Sequence, residues 1–228
     1  MPEAASSFPP VPEIRVPFAR EPAGFDGTLS APCWKNAAII RNWAGPLGEA
    51  RGPGTTCRLL WNSSHLLLGF QAEDSDIFAT RTERDDLIWK EDAFEIFLDP
   101  EGLGTNYFEF QFNALGGIFD AFFLGEPTKV ENGGLWSYDC KGLISTAKWE
   151  RDSRTGADVG WSVEIGIPYT SLMRLPHTPP VPGDVWRANF VRRDYPDRTI
   201  PEEWYWSPSY APRWPHVTER FGILRFVS

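Results

Sequence analysis

The sequence predicts an all-β protein, a two-sheet antiparallel β-sandwich with little helix, and three observations carry that expectation. Apolar residues recur with period two in short runs, 21 Pro and 20 Gly interrupt the chain often, and no long stretch shows the 3.6-residue period of a helix. With 228 residues and 42% hydrophobic content, the chain has enough apolar material for one substantial core. Aromatic residues make up 14% of it, which suits strands.

Residues 1–24 are Pro-rich and polar and read as an extended arm, with the sandwich itself over residues 25–228. "FDGTLSAPCWKNA" (25–37) supplies a turn ahead of Trp34. "TCRLLWNSSHLLLGFQAED" is a hairpin turning at "NSS". In "DAFEIFLDP", Phe94, Ile96 and Leu98 alternate with Ala93, Glu95, Phe97 and Asp99. In "YFEFQFNA", Phe108, Phe110 and Phe112 point one way while Tyr107, Glu109, Gln111 and Asn113 point the other, because successive strand residues face opposite sides. Further strands are expected at "GIFDAFFL", "LISTAKWE", "GWSVEIGIP", "VWRANFVRRD" and "FGILRFV", and a short helical turn in "PYTSLMRL". Trp43, Trp61, Trp161 and Trp186 fall in apolar strand patterns and are expected in the core, as is Met173.

A net charge of −9 and the lack of a basic stripe argue against nucleic acid as partner, since that affinity comes from Lys and Arg neutralising phosphates. The apolar runs are too short for a membrane span, and the opening residues lack the charged and apolar regions of a signal peptide. The compartment stays open: extracellular or periplasmic if a leader preceded Met1, cytoplasmic otherwise. The three cysteines allow at most one bridge.

"DDLIWKEDAFEIFLDP" (85–100) places Trp89 among charges, ahead of a strand, where a core tryptophan is not expected. Centring the following loop on Gly102 to Gly104 sets Glu95 opposite Gln111, so Glu95, Glu109, Gln111 and Asn113 share one face with Trp89 at its edge. Carboxylates and amides pair with adjacent hydroxyls, and an indole covers the C–H face of a pyranose, so this face suits a sugar. The same pattern also describes the polar outer face of any sandwich.

The stretches "IWKEDAFEIFLDP", "FEFQFNALG", "GWSVEIGIPY", "WRANFVRRD" and "RFGILRF" occur in an order that resembles the family 9 carbohydrate-binding modules, from about Phe25 to Phe226. The resemblance implies a non-catalytic module that recognises a mono- or oligosaccharide, with two tryptophans sandwiching the sugar. Carried over by position, Trp89 is one wall, Trp214 the other, and Glu95, Gln111 and Asn113 the hydrogen-bonding set. Gln111 stands where a sugar-binding member carries arginine. Trp204 or Trp206 could replace Trp214, and Glu109, His216 and Arg192 are secondary candidates. For Arg192 and its neighbour Arg193, pairing with an acidic loop ranks first.

The family also implies structural calcium. Glu73, Asp74, Asp76 and Asp99 are candidate oxygen ligands, with Asp85 and Asp86 nearby. A solvated acidic loop explains them equally well. It further implies a separate carbohydrate-active enzyme as partner, in polysaccharide catabolism. Three rival readings remain. Glu95 and Glu109, at a diagonal spacing of about 7–8 Å, could act as a glycosidase pair. A repurposed site could bind protein. Met173 with His65, His177 or His216 could ligate haem, which would give a Soret band.

Overall fold

The computed structural model describes residues 8–50, 54–124 and 134–228. Its strands are β1 (Glu13–Pro17), β2 (Ala38–Ile40), β3 (Thr55–Trp61), β4 (His65–Glu73), β5 (Ala93–Asp99), β6 (Asn106–Phe112), β7 (Ile118–Leu124), β8 (Gly134–Leu135), β9 (Ile144–Arg151), β10 (Asp158–Pro168), β11 (Val185–Asp194), β12 (Glu202–Tyr205) and β13 (Gly222–Val227). They form two sheets, as the alternation predicts. The larger runs β1-β13-β11-β5-β6-β7-β8, with β12 also paired to β11; the smaller runs β2-β3-β4-β10-β9. Each pairing is antiparallel except β1 with β13. Among the described residues, helix is confined to short 3₁₀ turns, one of them at Tyr169–Ser171 inside "PYTSLMRL". No helix among the described residues is long and apolar enough to cross a membrane.

Between the sheets, Phe94, Ile96 and Leu98 of β5 and Phe108, Phe110 and Phe112 of β6 meet Leu66, Leu68 and Phe70 of β4 and Val163 and Ile165 of β10. Trp43, Trp61, Trp161 and Trp186 join this core. Met173 does not: it is exposed, and the 3₁₀ turn ahead of it buries Leu172 instead. The three cysteines are free and buried.

Two turns set the registers that matter. Asn62 Oδ1 accepts from the backbone N–H groups of Ser64 and His65, both at 2.8 Å, closing the β3–β4 hairpin. Asp99 accepts from Gly102 N at 2.9 Å and Gly104 N at 2.7 Å, and both glycines have positive φ that a side chain would strain. That turn fixes Glu95 opposite Gln111, as the loop centre predicts.

The arm over residues 1–24 departs from the expectation where it is described. Residues 13–17 form β1, a full member of the larger sheet, and Val16 is wholly buried in the core. Residues 1–7 of the predicted arm lie outside the described residues.

The outer faces differ from those of a simple sandwich, because neither is plainly polar. The turn Pro32–Asn36 presses Trp34 onto Leu60 and Leu67 of the smaller sheet, with Trp34 Nε1 donating to Glu164 at 2.7 Å. On the larger sheet, Phe97, Tyr107, Phe119, Ala121, Phe123, Val191 and Tyr205 make a second apolar cluster, with Trp89 packed at its side.

Candidate functional site

Strand parity brings the site together. Glu95 faces Gln111 across β5–β6, Gln111 faces Phe119 across β6–β7, and Arg193 on β11 faces Glu203 on β12. The loops then close a cavity of about 160 Å³ over this face, lined by Trp89, Glu95, Glu109, Gln111, Phe119, Arg193, Arg213, Trp214, Pro215 and His216. Its volume falls below the roughly 300–1,000 Å³ of drug-sized sites, the scale of one small ring rather than of a chain.

Trp89 owes its position to the charges around it. Glu91 accepts from Thr80 N at 2.8 Å and Arg81 N at 3.1 Å; Asp92 accepts from Phe78 N at 2.5 Å and Tyr195 N at 2.7 Å. Two neighbouring segments are thereby tied to the turn Ile88–Lys90, and Tyr195 OH donates to Trp89 O at 2.9 Å. The half-buried indole meets Phe119 at 5.2 Å and Trp136 at 5.7 Å, both edge-on, and lines the cavity. Trp214 enters from the loop between β12 and β13, 4.7 Å from the ring of His216.

The floor is polar and buried. Glu95, Glu109 and Gln111 are 1%, 4% and 2% exposed. Arg193 Nε donates to Glu95 Oε1 at 3.0 Å, and its Nη1 lies 2.9 Å from Glu203. Gln111 Nε2 donates to Glu109 Oε1 at 2.5 Å. Glu95 Oε2, Glu109 Oε2 and Gln111 Oε1 are buried without a protein partner. Burial, and then the charge of Glu95, pushes the Glu109 carboxyl up to about 8. Burial also raises Glu95, against the pull of Arg193. Burial and the nearby Arg193 hold His216 down to about 3, so its ring is neutral, hydrogen-bonded through Nδ1 to Tyr107 OH at 2.6 Å.

This has a measurable consequence. A carboxyl raised from 4.5 to about 8 keeps in the folded state a proton that the unfolded chain releases, so stability declines as pH rises through that window. Asp92 and Asp120, raised by burial to about 7 and about 6, slope the same way. Glu109→Gln is therefore expected to flatten the decline by roughly 1–3 kcal/mol relative to wild type in urea unfolding at pH 5 and pH 8. Parallel pH curves would refute the assignment.

Of the residues the sequence singled out, Trp89, Glu95, Gln111, Trp214, Glu109 and His216 meet at this cavity. Asn113 does not. It is fully buried beside the turn it builds, with Oδ1 accepting from Leu115 N and Gly117 N and Nδ2 donating to Arg81 O. Its capacity is spent on folding, and a Cβ on Gly117 would come within 2.5 Å of Arg81 O.

Arg192 points to the opposite side of β11, bonding Thr55 Oγ1 at 2.8 Å and Asp194 at 2.9 Å and lying 4.3 Å over Trp204. The pairing expected for it holds, and it also takes Trp204 away from the site. Trp206 packs against Phe190 in the core. Arg193, the neighbour, is the arginine at the cavity. The sequence carried a signal for it: Ala188 and Phe190 are core residues, so Arg192 shares their face and Arg193 the other. Phe119 escaped notice because its face was expected to be polar.

The acidic candidates also separate. Asp99 is committed to its turn, Asp76 pairs with Arg198 at the surface, and Glu73 is exposed. Asp74 instead meets Asp92 and Asp194, with carboxylate oxygens within 4.8 Å of one another; Asp85, Asp120 and Asp139 form a second such group. An arginine bridges each: Arg192 lies 3.4 Å from Asp74 and 2.9 Å from Asp194, and Arg84 lies 2.6 Å from Asp120 and 3.0 Å from Asp139. The haem candidates are dispersed in their partners: His65 contacts Ser64, His177 pairs with Asp184, and His216 belongs to the cavity.

Fold and cavity together define a β-sandwich that carries a small, aromatic-walled, acid-floored binding pocket on the outer face of one sheet. The chain belongs to carbohydrate-binding family 9, whose sequence model matches residues 42–226. It is 27% identical over 187 residues to an Arthroderma benhamiae protein named as extracellular, covering 77% of this chain and 79% of the relative. Its fold is similar to that of a Bacteroides uniformis protein of inferred carbohydrate binding, with TM-score 0.71 at 16% identity over 95% of this chain and all of the other. It is similar too to a family 9 module from Caldicellulosiruptor kristjanssonii in complex with cellotriose, with TM-score 0.65 at 15% identity over 95% and 94% of the two chains.

Proposed function

We propose that this chain binds a carbohydrate non-covalently in the cavity between Trp89 and Trp214, with hydroxyls donating to Glu95 and Gln111. The observation that carries this reading is the cavity itself: two tryptophans and a floor with three buried, unpartnered oxygens converge on one ring-sized space. Each such oxygen costs about 1–3 kcal/mol while unpaired, a debt that sugar hydroxyls remove. Catalysis is not part of the proposal. Glu95 and Glu109 approach from the same floor, and Arg193 clamps Glu95, whereas a glycosidase places its carboxyls on either side of the scissile bond. A module of this kind acts beside a separate carbohydrate-active enzyme in polysaccharide breakdown. The test is isothermal titration calorimetry against mono- and disaccharides, with Trp89→Ala in parallel; silence across the panel from a folded protein would overturn it.

Calcium belongs to the same proposal, at Asp74, Asp92 and Asp194. Three carboxylates face a single guanidinium there, and the neighbouring open cavity, lined by Asp74, Asp76 and Asp194, gives room for the water ligands calcium takes. Calcium at about a hundred times its dissociation constant is expected to raise the melting temperature of EDTA-treated protein by about 5 °C or more. Identical melting with calcium and with EDTA would exclude the ion.

A further inference from the structure

The floor of the cavity is rich in carboxyl groups and short of positive charge. Glu95, Glu109 and Glu203 bring three carboxyls, exposed by no more than 4%, and Arg193 is the cation set among them, turned to Glu95 and Glu203. Arg213 sits at the exposed rim, where solvent screens it, and His216 is neutral. Gln111, which lines the cavity, spends its Nε2 on Glu109 and leaves its acceptor oxygen buried without a protein partner. The three orphaned atoms, Glu95 Oε2, Glu109 Oε2 and Gln111 Oε1, are all carboxyl or carbonyl oxygens. Glu109 has no cation of its own.

A hydroxyl answers such a floor in part, since it brings one donor together with lone pairs that face more oxygen. An ammonium group brings three donors, no acceptor and a full positive charge. Trp89 and Trp214 line the same space, and an indole face attracts a cation further. We infer that the pocket is built for a sugar bearing a free amino group, a hexosamine bound as its ammonium form, in preference to the neutral hexose. This rests on the carbohydrate reading above and names the class within it. Glu109 is the residue that sets the preference: its carboxyl has no cation beside it, and an ammonium docking there takes the place of the proton that burial leaves on it.

The experiment is calorimetric titration of the full chain at neutral pH, where the amino sugars are still largely cations and Glu109 can give up its proton, with D-glucose, D-glucosamine, D-galactosamine and N-acetyl-D-glucosamine, for wild type and Glu109→Gln. At least one hexosamine is expected to bind ten times more tightly than glucose or better. The N-acetyl sugar should lose that gain, because acetylation removes the charge, and Glu109→Gln should bring hexosamine and glucose to within about twofold of each other. Glucose binding as well as both hexosamines, N-acetylglucosamine matching the free amine, or a gain that survives in Glu109→Gln would overturn the amino preference and leave the sugar site standing. No binding by any of the four would overturn both.

Discussion

Arg193→Met is expected to destabilise the fold by about 3–5 kcal/mol at neutral pH. The guanidinium is 12% exposed and pairs with Glu95 and Glu203, whose side chains are 1% and 2% exposed. Removing it leaves two carboxylates buried without a cation, and water cannot reach them at full dielectric to compensate. Tyr205 OH, which donates to Glu203 at 3.0 Å, is too little to hold that charge. Protonation is the remaining escape, so the variant should recover part of its loss as pH falls. Urea unfolding followed by tryptophan fluorescence gives the number, and adding Glu95→Gln should restore stability relative to the single variant. A loss below about 1 kcal/mol would show that Arg193 is not the electrostatic keystone of the floor.

Trp89→Ala is expected to weaken sugar binding by about 2 kcal/mol or more, roughly thirtyfold, with the sandwich still folded. The indole contributes contact area at the cavity wall at little entropic cost, because Phe119, Trp136 and the Tyr195 hydrogen bond to its backbone already hold it. Its loss also removes packing from the outer cluster, so a stability decrease of about 1–2 kcal/mol should accompany the binding defect. Circular dichroism separates the two effects. Wild-type affinity in a folded variant would move the site elsewhere.

Much of this was legible in the sequence because strand parity is a local property. The alternation in "FEIFLD" and "FEFQFN" assigns Glu95, Glu109 and Gln111 to one face, and Gly102 and Gly104 place the turn that pairs them. Parity failed where two functions compete for one residue type. Asn113 has the parity of Gln111 but lies one residue beyond the end of β6, where the chain must turn and its side chain is claimed by Leu115 N and Gly117 N. The two adjacent arginines of "VRRD" show the same limit. Read as a pair they are interchangeable; read against Phe190 they part to opposite faces.

By itself, then, the sequence determined the sandwich, the inward faces of its strands and the acidic and amide groups of the floor, since each follows from residue type and a two-residue period. Tertiary structure alone decided which loop closed over that floor. Trp204, Trp206 and Trp214 lie within eleven residues of one another, and local pattern cannot rank them. Packing does so: Arg192 stacks on Trp204, Phe190 takes Trp206 into the core, and Trp214 is left to line the cavity with Trp89. Charge pairing was decided in the same way. Which carboxyl keeps a guanidinium and which is left to its proton depends on desolvation, a property of the space enclosed by the whole chain.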